Sequence, residues 1–568
     1  MTGFRIDPIR FQAADIKTWA GLDNRHSNWP VVYTLDGTGG IYVGESINGS
    51  GRLRQHLESG KKTQFLSARV ILGETFNKSV CLDLESYLIR LFAGDGQFQV
   101  TNRNEGITDA DYYGRQSYQP VFEMIFDELR ELGLFTRPIR EIENTDLFKL
   151  SPFKALTPDQ AIAVEDILSG LFEDLAHERS SRIVIHGDPG TGKTVVAVYL
   201  MKLLADIRHA DPTDKPEGDS ILSEFFVEGY PQLLEEVRVG LVVPQQSLRR
   251  SIQKVFKRTP GLEPEWVMTP FQVGQSAERF ELLIVDEAHR LTQRANQTSA
   301  QKNKEFATIN ERLFGADDPS YTQLDWINER SDHQIFLLDT AQSVRPMDVS
   351  AESLTALVET VDSQNRRYRL TTQMRVRAEQ DYVGYVRSVL ALTQGEREEF
   401  PGYDLRLYDD LPAMVTAIES RESETGLARL LAGYAWEWRT KRDKSAYDIE
   451  IDQVRLRWNQ TDVDWVNSKT SVREVGSIHT IQGYDLNYAG VIIGNDLRLD
   501  PDAGALRFHR ASYFDRKGKQ NNPTQTFTDE DLLGFVRNIY AVLLTRGMLG
   551  TYVYVCDEPL REYLSEYF

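Results

Sequence analysis

Gly187-Asp188-Pro189-Gly190-Thr191-Gly192-Lys193-Thr194 is the stretch on which the fold turns. It matches G-x-x-x-x-G-K-[ST] at every position. It also lies directly after the β-forming run RIVIH and before the helix-forming run TVVAVYLMKLL, the context that pattern requires. The glycines let the chain wrap so that backbone N–H groups and a helix N-terminus face a polyphosphate. Lys193 adds positive charge near the β- and γ-phosphates, and Thr194 offers a hydroxyl to Mg²⁺. ATP and Mg²⁺ are the cofactors this reading expects, with residues 187–194 as the cradle.

Downstream, Leu282-Leu283-Ile284-Val285-Asp286-Glu287-Ala288-His289 is an apolar strand ending in two carboxylates. Asp286 is placed to hold Mg²⁺ through water, and Glu287 to polarise an attacking water as general base. Buried β runs alternate with helical segments from about residue 155 onward, the signature of parallel sheets covered on both faces. RIVIHG, VGLVVP, LLIVDE and QIFLLD read as a first sheet; YRLTTQ, YDLRLYD, VREVGSIH, AGVIIGND and TYVYVCD read as a second. The polar stretches 295–323 and 501–523 read as inserted loops. Trp436, Trp438, Trp458 and Trp465 read as core or interface residues, with base stacking the alternative.

The DEAH string at 286–289 is followed in order by LLDTAQ (337–342), LTTQMR (370–375), SIHTIQGYD (477–485) and VLLTRG (542–547). Together these resemble the motifs of a superfamily 1 helicase, and more narrowly a Schlafen group 3-like DNA/RNA helicase domain. The segments VVPQQSLRRSIQKVFK (242–257) and LARLLAGYAWEW (427–438) add to the resemblance, which covers roughly residues 155–560. It implies two RecA-like lobes. In them Gln160 would read adenine and Gln342 would couple the γ-phosphate to the cleft. Arg375 and Arg546 would be arginine fingers, and Gln482 and Gly483 would link ATP state to nucleic-acid grip.

Near the N-terminus, VVYTL, the turn DGTGG and IYVGES read as a β-hairpin. Tyr33 and Tyr42, then Arg52, His56, Glu85 and Asn102, follow one another in an order that resembles the GIY-YIG nuclease domain. The aligned triads are Val31-Val32-Tyr33 and Tyr42-Val43-Gly44, not the literal Gly40-Ile41-Tyr42. The resemblance implies Glu85 as ligand of a catalytic Mg²⁺ or Mn²⁺, Arg52 as cation on the scissile phosphate, and Tyr33, assisted by Tyr42 or His56, as base.

A chain of 568 residues is too long for one core. The boundaries expected are an N-terminal segment (1–24), a nuclease-like domain (25–105), a helical linker (106–150), a first lobe (151–360) and a second lobe (361–568). Only Cys81 and Cys556 are present, which excludes a disulfide framework or a cysteine-based zinc site. The net charge of −20 argues against a nucleic-acid partner, but residues 1–103 hold 12 Lys and Arg against 10 Asp and Glu. The acidity lies elsewhere in the chain. Without a membrane-length apolar run or a signal-peptide layout, a cytoplasmic protein is expected.

The whole reads as an ATP-driven motor coupled to a metal-dependent endonuclease, in bacterial DNA processing or defence. DNA, single-stranded or forked, is the expected partner, with RNA the alternative. The competing reading is an ATP-gated nucleic-acid binding or sensing protein with an inactive nuclease domain and no unwinding.

Overall fold

The computed structural model describes residues 3–60, 62, 64–103, 111–210, 222–294, 297, 299–339, 347–364, 366–374, 376, 378, 381–460, 465–481, 484–515, 518–519 and 526–568. The chain divides into two compact units. One comprises 1–172, 195–236 and 251–266; the other comprises 173–194, 237–250 and 267–568.

The first unit begins with β1 (Phe4–Arg10), α1 (Ala13–Ala20), β2 (Val31–Gly37), β3 (Gly40–Ser46), α2 (Gly49–Glu58), β4 (Phe65–Gly73), α3 (Lys78–Asp95) and β5 (Gln99–Val100). The sheet order is β1-β4-β2-β3-β5. Strand alternation sends Tyr33, Leu35 and Tyr42 to one face, where they pack with Ile16, Trp19 and Leu53. It sends Val32, Ile41 and Val43 to the other, against Leu84 and Leu88 of α3. Asn77 caps α3 by accepting from Val80 N at 3.0 Å, a contribution of about 1 kcal/mol.

Two segments are therefore more integrated than the sequence suggested. The N-terminal stretch supplies an edge strand of the sheet, because β1 pairs with β4 from Phe4 to Arg10. The stretch read as a linker forms α4 (Arg115–Glu131), α5 (Ile139–Glu143) and α6 (Asp146–Lys149), and α4 buries Phe122, Ile125 and Phe126 in the same core as α3. Next come α7 (Pro158–Ala176), β6 (Ser181–Gly187), α8 (Lys193–Arg208), α9 (Tyr230–Leu234), β7 (Val239–Val242) and α10 (Gln246–Arg258).

The second unit continues through β8 (Val267–Met268), α11 (Pro270–Gln275), β9 (Phe280–Val285), α12 (Ala300–Phe314), α13 (Gln323–Arg330), β10 (Ser331–Leu338), α14 (Ala351–Asp362) and β11 (Arg367–Leu370). The first sheet has the order β11-β6-β10-β9-β7-β8, with every pair parallel. The run YRL, read as opening the second sheet, instead pairs with β6 as the edge of the first. The stretch read as a polar loop at 295–323 contains α12, whose Phe306 and Ile309 pack on Trp326.

The remainder is α15 (Tyr382–Leu390), β12 (Asp404–Tyr408), α16 (Leu411–Thr425), β13 (Ala428–Ala432), β14 (Ile449–Ile451), β15 (Val454–Trp458), β16 (Glu474–Gly476), α17 (Ile478–Ile481), β17 (Leu486–Ile493), β18 (Leu497–Asp500), β19 (Ala505–Phe508), α18 (Asp529–Leu544), β20 (Gly547–Val555) and α19 (Glu558–Ser565). The second sheet runs β12-β20-β17-β13-β16-β15-β14 and is parallel except for the β14–β15 hairpin. Of the stretch read as a loop at 501–523, residues 516–517 and 520–523 lie outside the described residues, and its first part forms β19, which pairs with β18. No helix among the described residues is long and apolar enough to cross a membrane.

Candidate active site

In a parallel sheet the carboxyl ends of the strands share one edge, where ligands of α/β proteins bind. The loop after β6 is residues 188–192, with Gly190 and Gly192 at φ of 89° and 79°, the left-handed region that glycine enters without strain. A Cβ on Gly187 would come within 2.4 Å of Thr191 Oγ1, so the loop's entry also requires glycine. Lys193 is buried and donates to the Gly187 and Asp188 carbonyls at 2.6 and 3.0 Å, which curls its ammonium into the loop.

Thr194 Oγ1 donates to Asp286 Oδ2 at 2.8 Å, joining the helix start to the end of β9. These two oxygens are the ones a Mg²⁺ would use. Asp286 is fully buried, and burial, then the neighbouring Glu287 charge, pushes its pKa above the usual carboxylate range. Glu287 has φ of 50°, a left-handed conformation that costs a non-glycine residue on the order of 1 kcal/mol or more. His289 and Lys193 hold its carboxylate in the charged form against the penalty of burial. His289 Nε2 lies 2.9 Å from Glu287 Oε2, without the alignment of a hydrogen bond. On its other side, the Asp339 backbone N–H donates to His289 Nδ1 at 3.3 Å.

The neighbouring strand ends complete the rim. After β11, Gln373 Nε2 donates to the Pro189 carbonyl at 2.8 Å and Met374 N to the Gly190 carbonyl at 2.8 Å. Arg387, on α15, forms an ion pair with Asp188 at 2.6 Å and approaches Asp339 at 3.6 Å. Neither Arg387 nor Gln373 was picked out from sequence. Gln373 sits inside a quoted motif, but Arg387 lies on an amphipathic helix with no local signal.

Of the other expected residues, Arg546 is buried, with Nη1 3.4 Å from the Tyr484 carbonyl. Gln160 is buried in the first unit, where its amide oxygen accepts from Thr157 N at 3.1 Å. Gln342, Arg375, Gln482 and Gly483 lie outside the described residues.

The second unit also holds an open cleft of about 1280 Å³. Tyr434, Trp436, Trp438 and Trp458 line it, with Arg249, Lys441 and Arg442. Three of the four tryptophans read as core or interface residues thus border a cavity while packing on one core cluster, and Trp465 is fully buried. Trp458 packs edge-on to Tyr434 and Trp438 at 5.2 and 5.8 Å. The indole N–H groups of Trp438 and Trp458 are buried and find no hydrogen-bond partner among the described residues. An orphaned buried donor costs about 1–3 kcal/mol, which a ligand oxygen would relieve. The β14–β15 hairpin is anchored by buried Asp448, which accepts from Thr440 N, Thr440 Oγ1 and Trp458 N at 2.9, 2.7 and 2.7 Å.

In the first unit, Tyr33, Tyr42 and His56 come together. The Tyr33 hydroxyl and His56 Nε2 are 2.8 Å apart, and the Tyr42 ring lies edge-on to His56 at 5.4 Å. Gly44 is required there, since a Cβ would sit 2.4 Å from the Tyr33 hydroxyl. Lys62 places Nζ 2.7 Å from the Tyr42 ring centroid, a cation–π contact. Arg52, one helical turn before His56, donates to Gln55 Oε1 at 2.8 Å.

Glu85 lies on α3, which packs on the sheet face opposite the tyrosines. There, after burial itself, the charges of Glu45 and Glu85 help push the Cys81 thiol pKa upward. Asn102 pairs with the backbone of Val43, accepting at 3.1 Å and donating at 2.7 Å, and so extends the sheet edge.

A family model described as Schlafen group 3, DNA/RNA helicase domain matches residues 180–557. An uncharacterized Saccharomyces cerevisiae protein, YPL245W, is 25% identical over 484 residues, covering 78% of this chain and 98% of the yeast chain. Among solved structures, the Pif1 helicase from Candida albicans is similar at 12% identity and TM-score 0.27, covering 72% of this chain and 99% of that one. The Bacteroides Pif1 helicase in complex with ADP-AlF3 and single-stranded DNA gives 9% identity and TM-score 0.24, covering 68% and 91%. The arterivirus nonstructural protein 10 helicase with DNA gives 12% and 0.26; the match covers 70% of this chain and 65% of the length of that one.

Proposed function

Because the chain belongs to the Schlafen group 3, DNA/RNA helicase domain family, we propose that it is an ATP-driven motor that moves along a nucleic-acid strand. The observation that carries this is the grouping of Lys193, Thr194, Asp286 and Glu287 at the carboxyl edge of one parallel sheet. Lys193 holds the phosphates, Thr194 and Asp286 hold Mg²⁺, and Glu287 takes the proton of the attacking water. The metal neutralises charge on the departing phosphate when bound. Gln160 reads adenine, Gln342 senses the γ-phosphate, and Arg375 and Arg546 act from the second lobe. The aromatic cleft is the track, where bases stack on Trp436 and Trp438 and the indole donors meet base oxygens.

The N-terminal domain is proposed as a metal-dependent endonuclease of the GIY-YIG kind, with DNA the preferred partner and RNA the alternative. Tyr33 is its base, His56 receives or steers the Tyr33 proton across their 2.8 Å contact, Arg52 meets the phosphate, and Glu85 holds Mg²⁺ or Mn²⁺. Two observations favour a second reading, an ATP-gated binding or sensing protein with an inactive nuclease. The tyrosines are almost wholly buried, and the helix that carries Glu85 packs its apolar side on the other face of the sheet.

The test is incubation with single-stranded, duplex and forked DNA and RNA, varying ATP and metal independently. A motor hydrolyses ATP faster with a strand present; no stimulation by any nucleic acid defeats that reading. Metal-dependent cleavage that is lost in Glu85→Ala supports the nuclease, and its absence in the parent leaves the sensing reading.

A further inference from the structure

The contacts of Arg387 run beyond its own helix. It stands on α15, in the part of the chain that follows the first sheet, yet its guanidinium pairs with Asp188 of the phosphate loop at 2.6 Å and nears Asp339, at the end of β10, at 3.6 Å. Asp339 in turn donates its backbone N–H to His289 Nδ1 at 3.3 Å, and His289 Nε2 lies 2.9 Å from Glu287 Oε2. An N–H aimed at Nδ1 requires that nitrogen to be an acceptor, so the ring proton sits on Nε2, the nitrogen that lies within 2.9 Å of the Glu287 carboxylate. The line therefore runs from α15 through Asp339 and His289 to the carboxylate that takes the proton of water.

We infer that Arg387 is a positioning residue that ties the placement of α15 to the orientation of Glu287. This rests on the ATPase reading above. A half-exposed ion pair such as Arg387–Asp188 contributes at most about 1 kcal/mol to stability, so holding the fold together is a poor account of it. A forked guanidinium suits the task because its two arms reach two loops at once, which an ammonium does not do. Triphosphate drawn into the loop brings negative charge beside the same guanidinium. Movement of α15 is then felt at Asp339 and passed to His289. Arg387 lies outside the segments read as carrying the arginine fingers Arg375 and Arg546, and is a cation at the phosphate loop that the sequence motifs do not include.

The experiment compares the full-length parent with Arg387→Ala, Arg387→Lys and Asp339→Asn in three measurements: ATPase kinetics with and without single-stranded DNA or RNA, binding of a fluorescent ATP analogue, and backbone hydrogen exchange. The expected result for Arg387→Ala is a kcat at least tenfold lower, analogue affinity within threefold of the parent, a lost response to nucleic acid, and faster exchange at Asp339. Arg387→Lys recovers part of kcat, and Asp339→Asn behaves as Arg387→Ala does. Parental kcat and nucleic-acid response in Arg387→Ala overturn the inference while leaving the motor reading intact. Unchanged exchange at Asp339 also overturns it. A parent that hydrolyses no ATP under any condition fails the functional reading itself, and the inference falls with it.

Discussion

Glu287 combines three features that ordinary surface carboxylates lack: a left-handed backbone, partial burial, and a histidine at 2.9 Å. Replacing it by Gln keeps the size and removes the charge. Glu287→Gln is expected to slow ATP hydrolysis by roughly 10²–10⁴-fold, the usual weight of a general base, while nucleotide binding stays near parental. Steady-state hydrolysis and analogue binding, measured side by side, check this; equal losses in both would assign Glu287 a binding role instead. Asp286 and Glu287 were legible from sequence because a buried strand ending in two acids is a local pattern. His289 was quoted within that pattern, but its contact with Asp339 was not, because β9 and β10 meet only in the sheet.

Secondary elements carry two further consequences. In the N-terminal hairpin, Gly44 opposes Tyr33 across β2 and β3, and the phenol lies over the space a side chain would fill. Gly44→Ala should destabilise this domain by about 1–3 kcal/mol and displace Tyr33, visible as a lower melting temperature and a changed tyrosine environment. In the second sheet, Asp496 follows β17, is fully buried, and accepts from the Tyr540 hydroxyl at 2.6 Å. Burial raises its pKa from 3.8 to about 7.

A carboxyl raised in the folded state favours folding while protonated, so its contribution is complete below its unfolded pKa and fades as pH rises to about 7. The size is at most about 4 kcal/mol. Thermal melting between pH 4 and 8 should show this loss, and Asp496→Asn, which keeps an acceptor for Tyr540, should flatten it. A variant with the same slope as the parent would rule Asp496 out as its source. Element type was the most readable property at this level, since long buried runs have few alternatives. Partner choice was not: four residues, Arg367–Leu370, gave no sign that they pair with β6 and not with the second sheet.

Taken as one object, the second unit presents a phosphate loop at its first sheet and an aromatic cleft that its second sheet helps to line. If bases stack in that cleft, Trp436→Ala combined with Trp438→Ala should weaken single-strand binding by tenfold or more, at roughly 1–3 kcal/mol per stacked base. Fluorescence anisotropy with a labelled oligonucleotide measures it, with ATPase in the absence of nucleic acid as the control that the fold survives. Affinity equal to the parent's would return these tryptophans to a packing role. The net charge of −20 does not decide the matter, because three cations, Arg249, Lys441 and Arg442, stand at the same cleft as the tryptophans.

Features written in contiguous residues were recoverable from the chain alone: the glycine-rich loop with Lys193 and Thr194, the carboxylates closing β9, the order of the later motifs, and the hairpin with its two tyrosines. Each depends on backbone geometry within a few residues, and short-range geometry is encoded by residue type. Folding decided the rest. It brought Arg387 to Asp188 across 199 positions, opened a cavity beside tryptophans that read as core or interface residues, and packed the apolar side of α3 on the sheet face opposite the tyrosines. These contacts follow from which strands pair and which helix face is buried, and such choices minimise the free energy of the whole packing instead of any one segment.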